Sequence, residues 1–249
     1  MIHGFNKFMW VMTLAAGFTD TAGGAEPPAS LPEIRQGTDL RTLVWNPQTD
    51  PVAAADFMHL FRAEPIAEAT AARMRGKSYA EGCPVALSDL RYLILPHFDG
   101  QGCIRIGEMV CNRSIADDLV AAFRELFEQA YPIERMELID NYGGDDEASM
   151  AANNTSCFNY RRIAGSRKLS RHALGLAGDI NPRYNPYVRT TGGRRIVTPA
   201  GSEPYADRTR TDIPYKITIR DAAYKVMRRH GFRWGGSWRT RKDYQHFQK

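Results

Sequence analysis

Short apolar runs in the middle of the chain predict β-strands. Tyr92–Leu95 and Ile104–Val110 concentrate large apolar side chains over lengths that are typical of strands. Asp99 and Gly100 lie between the two runs, and this pair of residues favours a turn. We therefore predict a hairpin here, and we predict a further strand at Met136–Ile139.

Three other segments repeat apolar residues at helical spacing. Phe57–Arg75 predicts a first helix. The clearest helix begins at Ser114, whose hydroxyl suits an N-cap, and it stops before Pro132. Its apolar stripe consists of Ile115, Leu119, Ala122, Phe123, Leu126 and Phe127. Arg220–Arg229 predicts a third helix, with Gly231 at its C-terminal cap.

These elements predict an α+β fold, a small antiparallel sheet flanked by helices. A chain of 249 residues suits one domain with extensions. Residues 26–75 begin with a stretch rich in Pro, Thr, Asp and Gly that has little periodicity, so we predict an N-terminal arm or linker. Residues 76–249 then form the main domain. Residues 141–215 within it are dense in Gly, Asn, Arg and Tyr, and long polar segments of this kind are usually functional or disordered.

Residues 1–25 have the pattern of a secretory signal. Lys7 precedes the apolar run Phe8–Phe18, and small residues follow at Gly23 and Ala25. The alternative is a frayed N-terminal helix. The signal predicts an exported protein, periplasmic or secreted. It leaves no membrane span after its removal, because no apolar run reaches the roughly 20 residues that a spanning helix needs.

Charge is distributed unevenly along the chain. The net charge is +5, but the part from Arg161 onward has 21 Lys and Arg against six Asp and Glu, a net charge of +15. Such a basic half favours an anionic partner. That partner would be nucleic acid for an intracellular protein and an anionic envelope polymer for an exported one. A solvated basic face without a partner is the third possibility.

The cysteines do not decide between disulfides and free thiols. Cys83, Cys103, Cys111 and Cys157 give an even count, which permits disulfides in an exported protein. None of them forms a CxxC pair, so a thiolate zinc site is not expected.

Two segments contain residues that suit a catalytic zinc site. His172 and Asp179 lie in the first, and His246 lies near the C-terminus. Two imidazoles and a carboxylate would supply three ligands and leave a fourth position for water. Asp243, three residues before His246, would be close enough to accept a proton from that water. Spacing alone is weak evidence, since a His and an Asp seven residues apart are common.

A resemblance strengthens this interpretation. The segment Ser170-Arg-His-Ala-Leu-Gly-Leu-Ala-Gly-Asp179 resembles the SxHxxGxAxD signature of a zinc peptidase family. That family includes D-alanyl-D-alanine carboxypeptidases and the L-alanyl-D-glutamate endopeptidases of phage endolysins. Trp234-Gly-Gly-Ser-Trp238, followed by Asp243-Tyr-Gln-His246, is similar to the closing motif of the family. The resemblance covers about residues 80 to 249, and its motifs occur in the expected order.

The resemblance implies a role for each matching residue. Zn²⁺ ligands are implied at His172, Asp179 and His246, and a catalytic carboxylate at Asp243. Arg161 stands where the family has an arginine that stabilises the oxyanion, although a surface arginine is the alternative. Two further residues are candidates for substrate contact. They are Ser170, which would otherwise cap its turn, and Trp238, as a wall of the cleft. The implied fold is that of the hedgehog and DD-peptidase group.

We therefore expect an exported, monomeric zinc peptidase that hydrolyses amide bonds in peptidoglycan stem peptides. Asp at position 243 is similar to the L-alanyl-D-glutamate endopeptidase branch, which favours that activity. A D-alanyl-D-alanine carboxypeptidase with the same zinc site is the alternative, and a non-catalytic zinc-binding envelope protein is another. A nucleic-acid-binding protein would leave the ordered motifs unexplained, so no nucleic-acid partner is expected.

Overall fold

The computed structural model describes residues 31–162 and 168–249, and the predicted signal segment therefore lies outside the described residues. The described chain has the expected α+β architecture, with several small antiparallel sheets. Its strands are β1 (Val44–Trp45), β2 (Arg62–Pro65), β3 (Leu90–Phe98), β4 (Ile104–Asn112), β5 (Ala177–Asp179), β6 (Tyr187–Thr191), β7 (Arg194–Thr198), β8 (Arg233–Trp234), β9 (Arg241–Asp243) and β10 (His246–Gln248). Its α-helices are α1 (Glu68–Met74), α2 (Arg113–Glu128), α3 (Asp146–Ala151) and α4 (Ala222–Arg229).

The largest sheet is built around the predicted hairpin. Its strand order is β1-β4-β3-β2, and β3 and β4 pair in register from Leu90 opposite Asn112 to Phe98 opposite Ile104. The carboxylate of Asp99 accepts hydrogen bonds from the backbone N–H groups of Gln101 and Cys103, at 2.9 and 3.0 Å. Asp99 therefore stabilises the turn, and the hairpin prediction is confirmed.

The sheet is covered on both faces, which explains why β3 is apolar at successive positions. Leu93 and Leu95 face a core formed with α2, α4 and the C-terminal strands. Tyr92 and Ile94 point to the opposite face, where Phe57 and other residues from the N-terminal part pack. Alternate side chains of a strand project to opposite faces, so a strand buried on both shows no alternation of polar residues.

The predicted long helix is α2, but its cap differs from the prediction. The side chain of Asn112, not that of Ser114, is the N-cap, and it accepts the backbone N–H of Ser114 at 3.0 Å. Asn112 ends β4, and its extended backbone is the conformation that an N-cap needs. The predicted C-terminal helix is α4, which Asp221 caps, and Gly231 follows it with a φ of +84°.

Two predicted elements are wrong. Phe57–Arg75 is not one helix: a 3-10 helix at Ala54–Leu60 is followed by β2 and α1. Pairing with β3 holds residues 62–65 extended, and this tertiary pairing overrides the helical spacing. Met136–Ile139 is not a strand either. The side chain of Asn154 accepts the backbone N–H of Glu137 and donates to its backbone oxygen. These are the two hydrogen bonds that a neighbouring strand would otherwise make.

The segment predicted as an arm contributes β1 and β2 to the two edges of the large sheet. No helix of the described chain is long and apolar enough to cross a membrane. All four cysteines are free thiols, and two of them, Cys111 and Cys157, are buried in the core.

Candidate metal centre

A 3-10 turn at His172–Leu174 positions the first candidate ligand. The turn ends at Gly175, whose φ is +67°, a backbone conformation that favours glycine. A Cβ atom at Gly175 would lie 2.6 Å from the backbone nitrogen of Asn112. Glycine thus allows the turn to pack directly on the end of β4, and this contact fixes the position of His172.

Pairing of two short strands brings the other two candidates together. β10 pairs with β5, and His246 lies directly opposite Asp179. Directly opposite residues of an antiparallel pair project to the same face of the sheet. His246 and Asp179 are therefore neighbours although they are 67 residues apart in the chain.

His172, Asp179 and His246 form one compact, buried cluster. Each offers a ligand atom, and these atoms all lie within 4.8 Å of one another. The Nε2 atom of His172 lies 3.1 Å from Nδ1 of His246 and 3.3 Å from Oδ1 of Asp179. The same Asp179 oxygen lies 3.1 Å from Nδ1 of His246. Within residues 31–162 and 168–249, no other group of three or more potential ligands comes this close.

Backbone and side-chain neighbours orient both imidazoles. Nδ1 of His172 lies 2.7 Å from the backbone oxygen of Cys157, and a carbonyl oxygen can only accept, so this nitrogen carries the proton. Nε2 of His172 is then free to act as a ligand. On the other ring, Nε2 of His246 lies 3.0 Å from Oε1 of Gln248. Such outer hydrogen bonds are the usual way in which metal-binding histidines are held.

The buried groups of the cluster shift one another's pKa values. Burial works against ionisation of Asp179, but its electrostatic and hydrogen-bond interactions with the imidazoles of His172 and His246 outweigh burial and hold the pKa of Asp179 well below its usual range. Burial also works against a charged His246. The hydrogen bond to Asp179 and the charge of Asp243 outweigh it, however, and the pKa of His246 is raised to about 9. The site therefore favours a positive charge on His246, and a divalent cation would take the place of that proton. The donor set, two imidazoles and one carboxylate, fits Zn²⁺.

Asp243 lies beside this cluster at the end of β9. Its Oδ1 atom is buried and has no hydrogen-bond partner among the described residues. Burial raises the pKa of Asp243 to about 6. The charge of His246 opposes this increase, and the charge of Asp179 adds to it. A Cβ atom at Gly235 would lie 2.8 Å from Cβ of Asp243, so the first glycine of the tryptophan motif allows this close approach.

Arg161 has an acidic partner that the sequence analysis missed. Its Nη2 atom lies 2.8 Å from Oδ2 of Asp146, in the first turn of α3. Its backbone oxygen accepts the N–H of Ser170, which places Arg161 beside the segment that contains His172. No sequence signal identified Asp146, because the pair joins two separate segments.

The two candidate substrate-binding residues both lie beside the cluster. The hydroxyl of Ser170 accepts the backbone N–H of His172 at 3.2 Å, so this side chain caps the turn. The ring of Trp238 lies 5.3 Å from the ring of His246, measured between centroids. Gln248 was also missed. It lies two residues after His246 on β10, and the two-residue period of a strand could have identified it.

A cavity of the described chain lies away from this cluster. It has a volume of about 620 Å³, and none of the three clustered residues lines it. The buried ring of His97 does line it, but Asp99 pairs with Arg105 and holds its turn. The turn and the ion pair with Arg105 together account for the position of Asp99.

Comparison with known proteins gives one match. Residues 164–249 match a family model described as D-alanyl-D-alanine carboxypeptidase, and this supports a peptidase. The matched segment is about a third of the chain and contains all three clustered residues and Asp243, but not Arg161. Neither a search of curated proteins nor a search of solved structures returned a match.

Proposed function

We propose that this protein is a zinc peptidase that hydrolyses amide bonds in the stem peptides of peptidoglycan. The observation that carries the proposal is the buried cluster of His172, Asp179 and His246, with the buried carboxylate of Asp243 beside it. The matched family model supports the class of reaction. The basic half of the chain suits an anionic envelope polymer, and the signal-like pattern of residues 1–25 suits export.

His172, Asp179 and His246 would hold the zinc ion. A bound zinc ion supplies Lewis-acid chemistry, since it polarises a carbonyl group and lowers the pKa of water to about 7. Asp243 accepts the proton of the attacking water and then donates it to the nitrogen of the leaving amine. In the metal-free protein burial raises the pKa of this carboxyl group, and a carboxylate in such a buried environment suits a residue that first accepts a proton and then donates it.

Arg161 would stabilise the negative charge that develops on the carbonyl oxygen. A guanidinium fixed in place is more effective than a mobile one, because no reorganisation is needed during the reaction. In this proposal Asp146 supplies that fixation through its ion pair with Arg161. Trp238 forms one wall of the cleft, and Ser170 acts by holding the turn that contains His172.

Two bonds are candidates for cleavage. Asp at position 243 favours an L-alanyl-D-glutamate endopeptidase, by its resemblance to that branch of the family. The description of the matched family model favours the second candidate, a D-alanyl-D-alanine carboxypeptidase. Both would use the same zinc ligands and the same carboxylate.

Mass spectrometry of digested peptidoglycan tests the proposal. Zinc-loaded protein lacking residues 1–25 is incubated with purified peptidoglycan, with and without a chelator. We expect chelator-sensitive products: release of peptides that begin with D-glutamate, without the L-alanine, identifies the endopeptidase, and loss of one alanine identifies the carboxypeptidase. The His172→Ala variant is the matched control and is expected to lose both zinc and activity. A folded, zinc-loaded sample that releases nothing would contradict the proposal and favour a non-catalytic zinc-binding protein.

A further inference from the structure

Three arginines lie on the face of the β7-β6-β9 sheet that also carries Asp243. Arg189 on β6 is directly opposite Arg241 on β9, and Thr191 on β6 is directly opposite Arg194 on β7. Directly opposite residues project to the same face, and so do residues two apart on one strand. Arg241, Arg189 and Arg194 therefore form a row on one face, which we call the arginine row. Asp243 stands on the same face, two residues from Arg241.

The positive charge of the arginine row is not neutralised by the protein. Arg189 and Arg241 are like charges at directly opposite positions, an arrangement that destabilises a sheet. No ion pair joins Arg189 or Arg194 to an acidic side chain of the described residues. The guanidinium of Arg241 lies over the ring of Trp238, 4.8 Å from the ring centroid, so this arginine stacks on an aromatic ring. An anionic ligand bound between Arg189 and Arg241 would offset the repulsion between their charges.

The arginine row begins at the proposed catalytic site. Trp238 contacts Arg241 on one side and lies 5.3 Å from the ring of His246 on the other. From there the row crosses three neighbouring strands, roughly 10 Å of sheet at about 4.8 Å per strand. A molecule whose amide bond lies at Asp243 would reach these arginines with its next residues.

We infer that the arginine row binds carboxylate groups of the peptide substrate on one side of the bond that is cut. This inference rests on the proposed function, because it identifies the molecule beside Asp243 as a peptide. The anionic groups of a peptide are carboxylates, and a guanidinium binds a carboxylate through two parallel hydrogen bonds. The arginine row would thus select acidic stem peptides over amidated ones.

Binding to an inactive variant tests the inference without cleavage. Zinc-loaded protein with Asp243→Asn is titrated calorimetrically with a stem peptide that has free carboxylates, and with the same peptide in amidated form. We expect the amidated peptide to bind about tenfold more weakly, the loss anticipated for two partly exposed ion pairs. Adding Arg189→Gln should abolish most of this preference. Arg220→Gln, an exposed arginine outside the sheet, is the matched control and should leave it unchanged.

Kinetics of the active enzyme provide a second measurement. Arg189→Gln should raise KM for the acidic peptide by severalfold, leave kcat within about twofold, and leave both constants unchanged for the amidated peptide. Thermal unfolding should show no loss of stability, because the substitution removes a like-charge pair.

The outcomes separate the inference from the proposed function. Cleavage with equal affinity for both peptides would refute the arginine row as a carboxylate site and leave the peptidase proposal intact. A carboxylate preference that depends on Arg189, without any cleavage by the active protein, would refute the peptidase and retain the carboxylate site. Binding of inorganic polyphosphate through Arg189, with no binding of either peptide, would make this a phosphate site and overturn the inference.

Discussion

Asp243 combines two unfavourable features that a purely structural residue would not need. Its Oδ1 atom is buried without a hydrogen-bond partner among the described residues, and burial raises its pKa to about 6. Leaving a buried acceptor unpaired costs about 1–3 kcal/mol. Perturbed carboxyl groups of this kind are typical of catalytic acids and bases. At the scale of single residues, Asp243 is therefore the strongest candidate for the proton carrier.

The Asp243→Asn variant is expected to bind zinc normally and to lose turnover. An amide of the same shape cannot accept the proton, so kcat should fall by about 10²–10⁴-fold. Metal analysis and kcat on peptidoglycan fragments measure the two effects separately. Asp212→Asn, at an exposed surface ion pair, should change neither. Full activity of Asp243→Asn would exclude the proposed proton carrier.

Zinc uptake by the metal-free protein should release a proton from His246. Its pKa is raised to about 9, so His246 is protonated at pH 7, and a ligand nitrogen must give up its proton to the metal. The apparent zinc affinity should thus rise about tenfold per pH unit below pH 9 and level off above it.

Calorimetry in buffers with different ionisation enthalpies counts the released protons. His246→Gln removes both the titrating group and a proposed ligand, so it should lose most of the zinc binding and the proton release that accompanies it. Zinc binding that releases no proton from the unsubstituted protein would contradict the protonated state of His246.

Among the secondary-structure elements, α2 contacts the turn that contains the candidate ligand His172. Asn112 caps α2 and also donates its backbone N–H to the oxygen of Gly175, at 2.9 Å. Its side-chain amide donates to the oxygen of Leu174 at 3.2 Å. The turn that contains His172 therefore rests on the junction between the large sheet and its longest helix.

Gly175→Ala should destabilise the protein and weaken zinc binding. Its positive φ alone costs an alanine about 1–2 kcal/mol, and the contact with Asn112 adds to this because both partners are backbone. The matched control is Gly192→Ala, at a φ of +57° with no atom within 4 Å of the added Cβ. Chemical denaturation and zinc titration should show loss of stability in both variants but loss of zinc affinity only at position 175. Equal zinc affinity in both would refute the role of this contact.

For the whole molecule, one hydrophobic core extends from the large sheet to the site strands. Leu93 and Leu95 of β3 belong to the same buried cluster as Trp234 of β8 and Phe247 of β10. Phe247 directly follows His246 and is fully buried. The position of one proposed ligand thus depends on packing that extends from the C-terminal strands to the large sheet.

Phe247→Ala should lower the free energy of unfolding by about 3–5 kcal/mol, the usual cost of removing a buried phenylalanine. Saturating zinc should recover part of this loss, because a ligand that binds only the folded state stabilises it. Urea denaturation with and without zinc measures both effects. An unchanged midpoint without zinc would show that the packing of β10 is independent of the core.

The sequence determined the features that depend on residues close together in the chain. The β3–β4 hairpin follows from two apolar runs and an Asp-Gly turn, and α2 follows from its apolar stripe. These two patterns have a local physical cause, the period of a strand or helix and the conformations that Gly and Asp favour. The candidate ligands were identified through the resemblance of two short motifs to those of a zinc peptidase family, since spacing alone is weak evidence for a metal site.

Only the tertiary structure decided how these pieces meet. The register of β5 with β10 brings His246 opposite Asp179, and the pairing of β2 with β3 divides the helix predicted at Phe57–Arg75. The Arg161–Asp146 ion pair and the arginine row likewise join separate segments. Such contacts depend on which distant surfaces pack together, and local patterns of hydrophobicity do not contain that information.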